Sequence, residues 1–273
     1  MTDTVSGMGK AQYGIQNVLN LLYSSRTRSG IRRNDGKESL SLFYESIRYR
    51  LQPVPVKFSL KVIAMKLSRQ RYYDYFSRFY DTFISIHSAD KGENARVFLS
   101  ENIDLKRGDM MLDICTGTGS LLPHLGNKVK KEGIVAGVDF SLGMLSAGRP
   151  KIACSNNIFL IQADVSYLPF KEAVFDSVTC SHAFYELKGE TQDHCLREIV
   201  RVLKPGKPFL MMEHDVPKNF LIRMLFYLRM LSIGAKKAKE ILKNERAFLG
   251  KYFRSVEVLL TPNTRSKILI CKG

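Results

Sequence analysis

The chain has 273 residues, 45% of them hydrophobic, with 16 Phe and 12 Tyr, which is enough for a sizeable core in one decorated α/β domain or a domain with appendages. Its five cysteines (Cys115, Cys154, Cys180, Cys195 and Cys271) are odd in number and form no C-x-x-C pair, which argues against a disulfide framework or a zinc ribbon and for a reducing compartment. The net charge of +16 sits in the flanks: residues 1–64 carry 10 Lys/Arg against 4 Asp/Glu, residues 65–216 carry 19 against 19, and residues 217–273 carry 13 against 3. A neutral middle with basic flanks separates partner contact from reaction chemistry.

Residues 1–64 lack a sustained periodic pattern, and Pro53 and Pro55 interrupt their last third. Arg26, Arg28, Arg32 and Arg33 give them the charge of a transit peptide, but there is no apolar core of a secretory signal. The expectation is a poorly ordered basic extension, or sequence upstream of a start near Met65, followed by one domain over residues 65–273. Residues 67–81 then read as a helix dense in aromatics, from Tyr72 through Tyr80, and residues 91–100 as a second helix.

Alternating units follow. Met110–Ile114, Ile134–Val138, Ile158–Ile161, Ser177–Cys180 and Pro208–Met212 are short apolar runs of buried-strand character. Helical stretches near residues 121–131, 142–149 and 191–203 separate most of them, the pattern of parallel βαβ units in a doubly wound sheet. Ser255–Leu260 and Ser266–Cys271 flank Thr261-Pro262-Asn263-Thr264 and read as a C-terminal hairpin.

The run Met111-Leu112-Asp113-Ile114-Cys115-Thr116-Gly117-Thr118-Gly119-Ser120 requires a strand to end and a helix to begin within a few residues. Gly117 and Gly119 permit the dihedrals such a turn needs and let a ligand approach the backbone, while the next helix offers its N-terminal N–H groups. Twenty residues after Gly119, Asp139 closes the second strand, where a carboxylate can take both hydroxyls of an adenosine ribose. Asp164, after the third strand, could meet an adenine edge. A dinucleotide site would need a third glycine at position 122, which is Leu122.

These residues carry a family resemblance over residues 72–213. Leu112–Gly119 resembles the first motif of class I S-adenosylmethionine-dependent methyltransferases, and Val138-Asp139 with Ser141 and Met144 resembles the second. Leu168-Pro169-Phe170, Phe175–Val178 and Arg201–Gly206 resemble the stretches around strands four and five, and Phe79-Tyr80-Asp81 resembles the N-terminal signature of the ubiquinone/menaquinone C-methyltransferase branch. The resemblance implies a Rossmann-like, doubly wound, mostly parallel seven-stranded sheet with an antiparallel C-terminal hairpin and a helical cap. It also implies S-adenosylmethionine as methyl donor. Gly117, Thr118 and Gly119 would lie along the donor's methionine part, with Asp113 in the same run. Asp139 would hold the ribose, Asp164 and Val165 the adenine, and Ser181 would line the site. Tyr80, or Tyr75, would face the sulfonium through a cation–π contact. Two positions depart from the pattern: Cys115 stands where many members carry glycine, and Ser181-His182-Ala183-Phe184-Tyr185-Glu186 replaces the Gly/Asn-containing turn of the quinone enzymes, which points away from a quinone acceptor.

Methyl transfer from a sulfonium is an in-line displacement with a strong leaving group, so alignment, worth about 7–11 kcal/mol, is the protein's main task. A proton acceptor is needed only for a protonated nucleophile. His182 and Tyr185, after strand four, are the candidate catalytic residues, with Glu213 and His214 beside them as groups better explained by loop hydrogen bonding. No metal is expected. The turn after strand four lacks the proline-containing signature of nucleic-acid amino methyltransferases, and no cysteine has the proline neighbour of cytosine C5 enzymes, so a nucleic-acid acceptor is disfavoured. Residues 217–250 read as a basic, greasy helical lid suited to a lipid-like acceptor or an anionic membrane surface. The sequence therefore points to methyl transfer to a small hydrophobic or lipid-like molecule by a cytoplasmic protein with peripheral membrane contact. The alternatives are an RNA or protein methyltransferase docking through the basic flanks, or a non-catalytic adenosyl-ligand-binding protein. The oligomeric state is open.

Overall fold

A computed structural model describes residues 37–48, 69–80, 94–187, 190–215, 220, 223–224, 244–262 and 266–273. Seven strands form one sheet in the order β3-β2-β1-β4-β5-β7-β6. They are β1 (Met110–Ile114), β2 (Ile134–Asp139), β3 (Ile158–Gln162), β4 (Ser177–Ser181), β5 (Pro208–His214), β6 (Ser255–Leu260) and β7 (Ser266–Lys272). The first five are mutually parallel, and β7 runs antiparallel to both β5 and β6. The expected doubly wound sheet and its C-terminal hairpin are both present, with β7 entering between β5 and the edge strand β6.

Among the described residues the α-helices are α1 (Lys37–Arg48), α2 (residues 69–80), α3 (Asn94–Glu101), α4 (Leu122–Val129), α5 (Leu142–Gly148), α6 (Thr191–Val202) and α7 (Glu245–Leu249). Strand parity sorts the core into two layers, as a sheet covered on both faces requires. Leu112, Ile114, Val138, Val178 and Met211 pack with Ile199 of α6, Leu249 of α7 and Phe43 of α1. Met111, Val135, Leu210 and Met212 pack on the other face with Leu99 of α3 and Leu122 and Leu125 of α4.

Helix α1 departs from the sequence reading. It lies inside the stretch expected to be a non-periodic extension, yet Phe43 is fully buried, with its ring 5.3 Å from that of Phe159 and 6.0 Å from that of Phe170. The signal was present at short range: Phe43 and Ile47, spaced four apart, are its buried hydrophobics, and Leu40 packs partly buried against the same core. The expected lid over residues 217–250 lies outside the described residues, apart from 220, 223–224 and the short helix α7.

The strand register sets the level of the site. Ile114 pairs with Val138 on one side and Cys180 on the other. One residue on, Cys115, Asp139 and Ser181 therefore end at the same carboxyl edge. Ser181 pairs with Met212, which brings Glu213 level with His182.

Candidate active site

The turn after β1 is built from left-handed backbone. Cys115, Gly117 and Gly119 have φ of +51°, +57° and +67°. A Cβ on Gly117 would meet nothing within 4 Å, whereas one on Gly119 would come within 3.0 Å of Leu122 Cδ1. Gly117 thus borders open space and Gly119 packs under the first turn of α4. Cys115 holds a left-handed conformation that penalises a residue with a Cβ and that glycine adopts freely.

Two buried carboxylates brace this turn, and their tasks differ. Asp113 accepts hydrogen bonds from Thr116 Oγ1 and Thr179 Oγ1, both at 2.6 Å, tying the turn to β4. Asp139 accepts from the backbone N–H of Gly117 and of Ser141, both at 2.9 Å. Burial pushes each carboxyl up to about 6; hydrogen bonds oppose the rise, from Thr116 and Thr179 at Asp113 and from the Ser141 and Gly117 N–H groups at Asp139. A carboxylate has about four acceptor positions, so Asp139 keeps capacity for ligand hydroxyls beyond its two backbone bonds. Thr118, also buried, accepts from Lys151 Nζ at 2.8 Å, and the same ammonium donates to Ser120 Oγ at 2.7 Å.

At the end of β3, Asp164 is half-buried and accepts the Ser166 N–H at 2.9 Å, closing a local turn. The side chain of Val165 is buried in the core, which leaves its backbone as the part that could meet a ligand.

Helix α2 spans the carboxyl edge. Asp74 Oδ1 accepts from Ser141 Oγ at 2.6 Å and from the Gly143 N–H at 2.9 Å, while the Ser141 hydroxyl also caps α5 by accepting the Met144 N–H. Gly143 is required by this contact, since a Cβ there would lie 2.7 Å from the Asp74 backbone. On the other side, the Tyr73 hydroxyl donates to Glu186 Oε2, and its ring meets Phe140 edge-on at 5.5 Å. Burial, with the Glu186 charge second, holds the Tyr73 phenol well above its ordinary range. Asp74, Tyr73 and Glu186 were not among the residues singled out from the sequence. Asp74 and Ser141 stand 67 positions apart, a pairing that a single sequence does not signal. Tyr80 is half-buried with its ring edge-on to Phe76 at 5.8 Å. Tyr75 is instead exposed.

Beyond β4, His182 has φ of +53° and donates its backbone N–H to the Met212 carbonyl at 2.8 Å. Its ring stacks on His214 at 4.4 Å between centroids, and its Nε2 lies 3.3 Å from Ser266 Oγ. Left-handed backbone of this kind is uncommon for a residue with a side chain and is what Gly or Asn most readily supplies. Tyr185 does not suit the role of an accessible proton acceptor. It is buried, its hydroxyl donates to Glu245 Oε1, and Glu245 pairs with the buried Lys267 at 2.7 Å. Burial, then the charges of Glu213 and Glu245, raise its phenol far above the ordinary range. Glu213 Oε1 accepts the Phe184 N–H at 2.8 Å and the Tyr185 N–H at 3.4 Å, fixing the post-β4 turn. Burial pushes its carboxyl up to about 8.

Residues 64–242 match the ubiE/COQ5 methyltransferase family. A demethylmenaquinone methyltransferase of Shouchella clausii is 31% identical over 197 residues, covering 67% of this chain and 83% of the relative. One from Staphylococcus aureus is 30% identical over 165 residues, covering 60% and 68%. In three dimensions the CurJ carbon methyltransferase superposes with a TM-score of 0.55 at 13% identity, covering 72% of this chain and 58% of that one. A chain from the complex of the Haloferax volcanii Trm112 methyltransferase activator with a methyltransferase gives 0.52 at 18%, covering 73% and 96%. These two likenesses concern the fold. The family match sets aside the non-catalytic reading. The chain belongs to the ubiE/COQ5 methyltransferase family and is an S-adenosylmethionine-dependent methyltransferase.

Proposed function

We propose that this enzyme methylates a ring carbon of a small quinol-type acceptor bearing a lipophilic tail, at a site formed where β1, β2, β4 and β5 end. The observation that carries this reading, against the sequence expectation that residues 181–186 point away from a quinone acceptor, is the identity to demethylmenaquinone methyltransferases across most of their length. The family match over residues 64–242 takes in the glycine turn and the β4 and β5 ends. The site geometry supports a division of labour. Asp139 would take the donor's ribose hydroxyls, the open backbone at Gly117 would border its methionine part, and Asp164 with the Val165 backbone would meet the adenine. Asp113 and Thr118 would hold the turn's shape, and Ser181 would line its wall. Tyr80 would approach the sulfonium.

The donor supplies an activated methyl group; the chain's residues bind it, orient the acceptor and manage protons. A quinol ring becomes a carbon nucleophile when a ring hydroxyl gives up its proton. As the carbon–methyl bond forms the methyl–sulfur bond breaks, and the methylated carbon's own proton then returns to the ring oxygen and restores the aromatic ring. His182 is the proposed acceptor of the first proton, with His214 and Ser266 orienting its ring. A cytoplasmic setting belongs to the same reading. Among the described residues, no helix is long and apolar enough to cross a membrane.

The test is turnover of a tail-less dihydroxynaphthalene-type acceptor with labelled donor, the product being located by mass spectrometry. His182→Gly, which suits the left-handed backbone, should bind donor normally and lose about 10²–10⁴-fold in turnover. Methylation of RNA or protein with no quinol product would overturn the acceptor assignment. Full activity in His182→Gly would remove the histidine from the chemistry.

A further inference from the structure

Helix α2 uses one face to close the site and leaves the other in water. Tyr73, Asp74 and Ser77 turn toward Phe140, Ser141, Gly143 and Glu186. Arg71, Tyr72, Tyr75, Arg78 and Phe79 recur at helical spacing on the outward face, where Tyr72 is 61%, Tyr75 70% and Phe79 56% exposed. Single exposed apolar residues need no explanation, but three large rings on less than three turns of one helix do. The rings are arranged in packed pairs: Tyr72 stacks on Phe76 at 5.7 Å, and Tyr75 lies 6.3 Å from Phe79.

We propose that this face of α2 docks on an anionic lipid bilayer. Two tyrosines with a polar tip and a phenylalanine, interspersed with Arg71 and Arg78, match the headgroup layer, which accepts apolar area and positive charge together. The basic flanks, 10 Lys/Arg against 4 Asp/Glu before residue 65 and 13 against 3 after residue 216, carry the same sign as the arginines of this face. The acidic residue of α2, Asp74, is withdrawn from this face into the Ser141 contact. Docking here sets the carboxyl edge of the sheet against the bilayer, because the opposite face of the same helix holds Ser141, Gly143 and Glu186. This inference rests on the proposed lipid-tailed acceptor, which would reach the site from the membrane without its tail entering water.

The experiment is co-sedimentation of the full chain with phosphatidylcholine vesicles, with and without phosphatidylglycerol, in the absence of acceptor. The chain should bind the anionic vesicles, and more weakly as salt rises. Arg71→Gln with Arg78→Gln should weaken binding about fivefold per arginine. Tyr72→Ser with Phe79→Ser should weaken it about tenfold or more. Donor affinity should be unchanged in both variants, which checks the fold, and the arginine variant remains informative if loss of the rings unfolds the protein. Vesicle binding equal to wild type in the arginine variant, or none by the wild type, would overturn the proposal. So would a concentration-dependent dimer, or RNA binding, that the variants lose while vesicle binding persists. Methylation of the tail-less quinol in solution is scored separately, so failure of docking and failure of the acceptor reading are distinguishable.

Discussion

Asp139 and Gly117 stand 22 positions apart, and the Gly117 N–H donates to Asp139 Oδ2 at 2.9 Å. The bond locks the glycine turn to the end of β2, so the proposed methionine and ribose subsites keep a fixed spacing. Under the proposed site, Asp139→Ala removes two hydrogen bonds to a charged acceptor, each worth about 1.5–3 kcal/mol. Donor affinity should fall about 100-fold or more by calorimetry, with the circular dichroism spectrum retained. An unchanged affinity would place the donor elsewhere.

Donor binding should also respond to acid. Burial first, and among the charges nearby Asp74, hold the Asp139 carboxyl at about 6, and Asp113 beside it is raised to about 6 by burial. Under the proposed site, ribose hydroxyls would donate to the carboxylate and favour its charged form, so below about pH 6 binding would first have to remove a proton. Affinity should be level above about pH 7 and fall toward about tenfold per pH unit below 6. Titrations of wild type and Asp139→Asn across this range check the assignment; a sloping profile in the Asn variant would assign the proton to another group.

Asp74 reaches Asp139 through Ser141, whose hydroxyl donates to Asp74 and whose N–H donates to Asp139. It is a positioning residue. Asp74→Ala should weaken donor binding by about 3–10-fold, and Asp74→Asn, which retains an acceptor oxygen, should restore most of it. A double-mutant cycle with Ser141→Ala should give a coupling of about 0.5–3 kcal/mol. Additive losses would mean that the helix acts without this contact.

Glu213 separates acceptor geometry from charge. Glu213→Ala strands the buried N–H groups of Phe184 and Tyr185 and should cost about 1–3 kcal/mol in urea unfolding, whereas Glu213→Gln keeps an acceptor oxygen. The folded carboxyl sits at about 8 against an ordinary 4.5, so wild-type stability from this group is present below the unfolded value and is lost as pH rises toward 8. Melting curves should show the Gln variant gaining on wild type between those values. A constant difference would show that Glu213 does not titrate there.

Phe43→Ala tests whether α1 belongs to the catalytic domain. A fully buried phenylalanine against Phe159 and Phe170 should cost about 3–5 kcal/mol when truncated. A loss below about 1 kcal/mol would make α1 a loosely attached segment, and removing residues 1–64 would then be harmless.

The sequence by itself determined the strands, their parallel arrangement, the glycine turn and the acidic residues after β2 and β3. Each of these is a local matter. Buried strands must be apolar, left-handed turns favour glycine, and successive parallel strands need a long crossover, most often a helix. The amphipathic pair Phe43 and Ile47 was equally local, but a short helix in a basic, glycine-punctuated stretch carries too weak a period to stand out.

Only the tertiary structure decided what the side chains at the carboxyl edge do. It bound Tyr185 to Glu245, assigned Glu213 to the backbone of the post-β4 turn, exposed Tyr75, and drew Asp74 and Tyr73 across the site. These outcomes depend on contacts between residues 28 to 113 positions apart. No propensity or spacing rule reaches that far. Carboxylates and phenols of identical local character become ligand-facing or structural according to which partner the fold delivers, and in a buried site the nearest satisfied hydrogen bond decides it.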